Sequence, residues 1–103
     1  ENKVADLNRL IKSSSEKVFL FGGHVASQYL ISYGLNIECL ESILDNDPKK
    51  QGRRLYGTNL KVRSPQVLRN MGKVNVILRQ GVFNKEIKED ILEQINNNVV
   101  FWE

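Results

Sequence analysis

Three short apolar runs constrain this chain most. They are Lys17-Val18-Phe19-Leu20-Phe21, Val74-Asn75-Val76-Ile77-Leu78 and Val99-Val100-Phe101-Trp102. Runs of this length, rich in β-branched and aromatic side chains, read as strands buried on both faces, which is the pattern of a parallel sheet covered by helices. Between them lie stretches with helical spacing. Gly22-Gly23 ends the first run, and a helix follows at once with Val25, Tyr29, Leu30 and Tyr33 on one side and Gly34 as its stop. Gly81 and Asn84 mark the exit from the Val74–Leu78 run and the cap of a helix striped by Ile87, Ile91, Leu92 and Ile95.

The remaining segments fit the same scheme. Val4, Leu7, Leu10 and Ile11 predict an amphipathic helix over 2–12 that leads into the first strand. Residues 38–44 read as a second strand, 49–59 as a polar loop, and 60–62 as a short third strand. Ser64-Pro65 opens a short helix over 65–70, serine serving as cap and proline as first helical residue. The expected fold is a single α/β domain over 1–103, a three-layer Rossmann-like arrangement. Its five-stranded sheet is mainly parallel, with order 3-2-1-4-5, because right-handed crossovers leave few alternatives.

Bulk composition excludes several function classes. The formal net charge is +3, and Lys49, Lys50, Arg53 and Arg54 form the one dense basic cluster. That cluster reads as a solvated turn or as an anion site. No aromatic residues interleave with a basic face, so nucleic-acid binding is not expected. The single cysteine, Cys39, excludes an internal disulfide and a thiolate metal cluster, and its apolar neighbours make it a core residue. His24 is the only histidine, with no second ligand at metal spacing, so no metal site is expected. No apolar run is long enough to cross a bilayer, and a cytoplasmic location is expected. The chain starts at Glu1 rather than Met, and reads as a piece of a longer protein. Tyr29 and Tyr33 read as core or flank; Trp102, Ile31 and Leu35 read as core or as a surface against a neighbouring domain.

In a doubly wound sheet, ligands sit beyond the carboxyl ends of the strands where the strand order reverses. Here that point brings together Gly22, Gly23 and His24 from the first strand and Arg79, Gln80 and Gly81 from the fourth, with Asp45 delivered by the second. His24 and Arg79 are expected side by side. The glycine turn followed by a helix start, with an acid about 20 residues on, is a degenerate dinucleotide fingerprint lacking its third glycine. Gly22, Gly23 and Asp45 would bind a cofactor on that reading. The same glycines also serve a tight strand–helix turn without any ligand, and Asp45 and Asp47 serve a turn by bonding to their own backbone.

Asp45-Asn46-Asp47-Pro48-Lys49-Lys50-Gln51-Gly52-Arg53-Arg54-Leu55-Tyr56-Gly57-Thr58, with Val62 and Ser64-Pro65 after it, resembles the C-terminal domain of sugar C-methyltransferases. These are S-adenosylmethionine-dependent enzymes that methylate nucleotide-linked deoxysugars, and mycarose-type 3-C-methyltransferases are among them. Phe21-Gly22-Gly23-His24 and the stretch from Arg79 to Glu89 are similar to the same domain, so the resemblance spans about residues 17–103. The resemblance implies a Rossmann-like domain that helps enclose a nucleotide sugar, while the methyl donor binds an upstream domain of the same chain, often preceded by a zinc domain. It implies no cofactor in these residues and no activity for them in isolation. His24 departs from the family pattern, so no catalytic role carries over to it. The expected substrate-facing residues are His24, Arg79, Asn84, Arg53 and Tyr56. Two rival readings remain: a nucleotide- or dinucleotide-binding module of a polysaccharide-building protein, and a ligand-free scaffold or homo-oligomerisation domain.

Overall fold

The computed structural model describes residues 3–23 and 25–103. The elements in chain order are α1 (Lys3–Ser13), β1 (Val18–Phe21), α2 (Val25–Ser32), β2 (Ile43–Leu44), β3 (Val62–Arg63), β4 (Val74–Leu78), α3 (Asn84–Gln94) and β5 (Val99–Trp102). Single 3-10 turns cover Ile37–Cys39, Pro65–Leu68 and Gly81–Phe83. The strands form one sheet in the order β3-β2-β1-β4-β5, and every pairing is parallel. The expected α/β topology is therefore the observed one.

Side-chain alternation along each strand divides the core into two layers. Val18 and Leu20 of β1, Ile43 of β2 and Ile77 of β4 join Val4, Leu7 and Ile11 of α1 and Leu30 of α2. Phe19, Phe21, Leu44, Val74, Val76 and Leu78 face the other way and pack with Leu68, Val99 and Ile91 of α3. The apolar character of β1, and of β4 apart from Asn75, follows directly, since both of their faces are covered. In α1, Leu10 stays 45 % exposed, because it lies about 100° around the helix from Ile11 and at the margin of the apolar stripe.

Buried amides stitch the layers together. Asn75, in the middle of the apolar β4 run, donates through Nδ2 to Ser14 Oγ at 2.9 Å and ties β4 to the lead-in of β1. Asn96 donates to the carbonyls of Leu68 and Gly72 at 2.8 and 2.9 Å and accepts from Asn98 N–H at 2.8 Å. It thereby clamps the end of α3 onto the 3-10 turn at Pro65–Leu68.

Several boundaries differ from the sequence expectations. The second strand is two residues long rather than spanning 38–44, and Ile37–Cys39 is a 3-10 turn. Glu38, Cys39 and Glu41 are exposed; a strand covered on both faces has no place for two carboxylates. Cys39 is accordingly a surface thiol rather than a core residue. The third strand is Val62–Arg63, starting two residues and ending one residue later than expected. The helix expected over 65–70 is a 3-10 turn at Pro65–Leu68, although Ser64 Oγ does accept from Gln66 N–H at 3.1 Å as a cap should. Asn70 and Gly72, both at positive φ, stop it from growing. Tyr29 and Tyr33 lie on the flank of α2 at 61 and 62 % exposure, not in the core. Leu35 is buried, and Ile31 and Trp102 pack partly against the first layer.

Candidate functional site

Parallel register determines which residues meet at the carboxyl rim. Phe21 lies opposite Leu44 on one side and Leu78 on the other, Leu44 lies opposite Arg63, and Ile77 lies opposite Trp102. The first residues beyond the strands are therefore Ser64, Asp45, Gly22, Arg79 and Glu103, in spatial order. Gly22 and Arg79 leave adjacent strands, as expected. His24 lies outside the described residues.

The glycine turn is held from both sides by the chain itself. Gly22 has φ +110, a conformation that a side chain strongly disfavours. Its N–H donates to Leu44 C=O at 2.7 Å, and its carbonyl accepts from the buried Ser27 hydroxyl. The Gln80 carboxamide folds across it and donates to Phe21 C=O at 3.1 Å; a Cβ on Gly22 would collide with that amide nitrogen. Gly23 donates its N–H to Asp45 Oδ2 at 2.8 Å. A Cβ on Gly23 would lie 3.3 Å from that oxygen and 3.6 Å from the Lys50 stem.

Asp45 is 8 % exposed, and both of its carboxylate oxygens are engaged. Oδ1 accepts from Asp47 N–H at 2.8 Å, and the Asp45 carbonyl accepts from Gln51 Nε2 at 2.8 Å. The D-N-D-P turn is thus an Asx-type turn that also latches the turn after β1. Lys49 N–H continues the pattern by donating to Asp47 Oδ1 at 2.9 Å.

On the β4–β5 side the rim opens into a pocket of about 310 Å³, lined by Leu78, Arg79, Gly81, Asn84 and Glu103. Asn84 does not cap α3 by accepting from its first turn. Its Oδ1 accepts from Gln80 N–H at 2.7 Å, and its Nδ2 donates to Leu78 C=O and to Glu103 Oε1, each at 3.2 Å. Lys88 Nζ bonds Glu103 Oε2 at 2.7 Å. That hydrogen bond is the main cause of a Glu103 carboxyl held below the ordinary glutamate range; desolvation opposes it, and the Asn84 bond and the Lys88 charge reinforce it. Glu103 is thus held as a carboxylate in this pocket. Arg79 is exposed and lines the same pocket. The pocket offers an ionised acceptor and a fork of donors, a set suited to the hydroxyls or phosphates of a polar ligand.

Arg79 and Asn84 are brought together, and Arg53 and Tyr56 are not brought to them. Arg53 is exposed on the loop between β2 and β3. Tyr56 lies further along that loop, where its carbonyl accepts from Gln28 Nε2 of α2 at 3.2 Å. Lys88 and Glu103 were not singled out from the sequence, whereas Gln80 was expected at this rim and Lys50 in the basic cluster. The signal for Glu103 was present, since the residue that follows a parallel strand reaches the ligand rim whatever its spacing from other motifs.

Comparison with known proteins decides the family. A family model described as the C-methyltransferase C-terminal domain matches residues 1–101. The chain belongs to that family. No curated protein and no solved structure matches this C-methyltransferase C-terminal domain at a significant level. The family assignment agrees in its coarse form with the resemblance at residues 45–65. Among the described residues of this C-methyltransferase domain, no group of acidic, histidine or cysteine side chains could hold a metal, and no helix is long and apolar enough to cross a membrane.

Proposed function

We propose that this domain is the substrate side of an S-adenosylmethionine-dependent C-methyltransferase acting on a nucleotide-linked deoxysugar. The observation that carries the reading is the β4–β5 pocket, where Arg79 and Glu103 flank about 310 Å³ at the ligand rim of the sheet. Its carboxylate acceptor and guanidinium donors match the alternating hydroxyl and ring-oxygen pattern of a sugar. Arg79 holds the substrate, Glu103 accepts from a hydroxyl, and Asn84 orients Glu103 and the exit from β4. Arg53, exposed on the loop between β2 and β3, is the proposed second contact for phosphate. His24, which the sequence assigns to the substrate-facing set, stays in it on this reading.

The methyl donor belongs elsewhere in the parent protein on this reading. S-adenosylmethionine or a dinucleotide at a Rossmann rim needs backbone approach at the glycine turn and a free acid for the ribose. Here Gln80 covers Gly22, and both Asp45 oxygens accept from backbone N–H groups. That arrangement fits neither group. The Gln80 plug favours the rival reading of a ligand-free scaffold, since it fills part of the crevice from within; the pocket beside it favours a ligand.

The test is an amide NMR titration of the protein with a deoxythymidine diphosphate-linked deoxysugar and, separately, with deoxythymidine diphosphate alone. The expected result is sugar-dependent shifts at Arg79, Asn84 and Glu103 that Glu103→Gln weakens. Absence of shifts at these residues, with the remainder of the parent protein present, would remove the reading.

A further inference from the structure

The two edges of the sheet are finished differently. At the β3 edge the chain covers itself: Val62 N–H donates to Arg53 C=O, and Val62 C=O accepts from Gly52 N–H, both at 2.7 Å. At the other edge β5 pairs with β4 alone. Among the described residues, no backbone group bonds the outward N–H and C=O groups of β5. Edge strands are ordinarily guarded by charge, proline or a covering segment. Residues 95–102 contain no charged side chain and no proline, and Val100 is 40 % exposed. The flank of α3 beside this strand continues the same surface. Asn84 and Lys88 both bond Glu103, the residue after β5, so that flank faces β5. Leu92 follows Lys88 by one helical turn on the same flank and is half-buried. Glu86 and Asp90 precede the core-packed Ile87 and Ile91, whereas Lys88 and Leu92 follow them, so the two acids fall on the opposite flank.

We infer that the β5 edge is a self-association surface, on which a second copy of this chain adds its own β5 antiparallel about a two-fold axis. The two sheets then continue as one across the axis, and each β5 satisfies the outward N–H and C=O groups of the other. Charge selects the occupant. A two-fold axis through the middle of β5 sets the uncharged centre of one copy against the same centre of the other. It also sends the carboxyl end of each β5, with its Lys88–Glu103 pair, to the exposed Asn97 and Asn98 at the amino end of the other, so no like charges are opposed. An axis normal to the sheet keeps both α3 helices on one face, where the flanks that carry Leu92 approach each other across the seam. The second copy thereby brings two amides beside the β4–β5 pocket, on whose wall Glu103 stands.

Sedimentation velocity of the full-length methyltransferase that carries these residues tests the inference, run over about a hundredfold range of concentration that reaches the micromolar region where small interfaces associate. Hydrogen exchange in the same samples reads the edge itself. The expected result is a reversible monomer–dimer equilibrium, with amide protection at Val99–Trp102 that fades on dilution. Val100→Lys places two ammonium groups near the axis and is expected to weaken the dimer at least about tenfold, with an unchanged circular dichroism spectrum. If that variant does not fold, Leu92→Lys serves instead. A protein that stays monomeric throughout would overturn the inference, and so would a dimer that the substitution leaves unchanged. Outward amides of β5 that stay protected at every dilution would overturn it too, because a segment of the same chain would then be the occupant.

Discussion

Asp45→Asn separates a structural carboxylate from a ribose-binding one. The native oxygens accept from Gly23 N–H and Asp47 N–H, both at 2.8 Å, at a site only 8 % exposed. Asparagine keeps the shape but replaces one acceptor with an NH₂ that faces a backbone N–H. One hydrogen bond to a charged group is lost, worth about 1.5–3 kcal/mol, and a donor is left facing a donor. The expected loss is about 2–3 kcal/mol, a large share of the roughly 5–15 kcal/mol that holds a domain of this size. At about 4–8 °C per kcal/mol the melting temperature falls by about 10–20 °C. Urea unfolding followed by the fluorescence of Trp102, the only tryptophan, which packs partly against the first core layer, measures this directly. The slope against urea is expected to stay constant while the midpoint falls. Asp47→Asn is the control: Asp47 is half-buried and its carboxylate accepts from Lys49 N–H, so its cost is about 1 kcal/mol or less. A change below about 0.5 kcal/mol for Asp45→Asn, within the range of ordinary surface substitutions, would refute the latch. So would a variant of normal stability that loses nucleotide binding.

Gly22→Ala forces a side chain into φ +110 and displaces the Gln80 amide; it costs about 1–3 kcal/mol, and adding Gln80→Ala relieves the collision but not the backbone strain, so most of the loss persists in thermal unfolding. Asn96→Ala leaves the carbonyls of Leu68 and Gly72 and the N–H of Asn98 without their partner and lowers stability by about 2–3 kcal/mol by urea titration; a near-neutral outcome would show that water replaces the amide. The Glu103 carboxyl titrates below the ordinary glutamate range, so its contribution is present above the unfolded-state pKa and is lost as pH falls through the lower folded-state value; carbon NMR of the carboxyl reads this, Lys88→Ala moves it back upward, and an ordinary or raised value would contradict the pocket geometry. Cys39 is exposed, so one thiol reacts with a disulfide reagent in the native protein without denaturant; a silent thiol would restore it to the core.

The reach of the sequence is plainest at β1 and β4. Four consecutive apolar residues in Val18–Phe21, and a Val74–Leu78 run broken only by Asn75, leave no polar outer face, so both had to lie in a sheet covered on both sides. Once helices alternate with such strands, handed crossovers leave the order β3-β2-β1-β4-β5. The rim position of Gly22, Asp45 and Arg79 followed from topology alone. The Leu40–Leu44 region was less legible: an apolar run interrupted by Glu41 carries no sign of where pairing starts, and the start is decided by Lys61 and Arg63, whose carbonyls accept from the N–H groups of Ile43 and Asp45.

What the tertiary structure alone decided is how the polar side chains are used. Asp45 is spent on two backbone N–H groups, Asn84 on the exit from β4 and on Glu103, and Gln80 on the last carbonyl of β1. The Asp45–Asp47 bond within one turn was legible in the sequence, but Gly23, Glu103 and Phe21 belong to segments remote from Asp45, Asn84 and Gln80, and spacing along the chain carries no information about such partners. Apolar periodicity is a local property that a single segment can express. Hydrogen-bond satisfaction is settled only when separate segments have met, because only then does each buried polar group acquire the neighbours that compete for it.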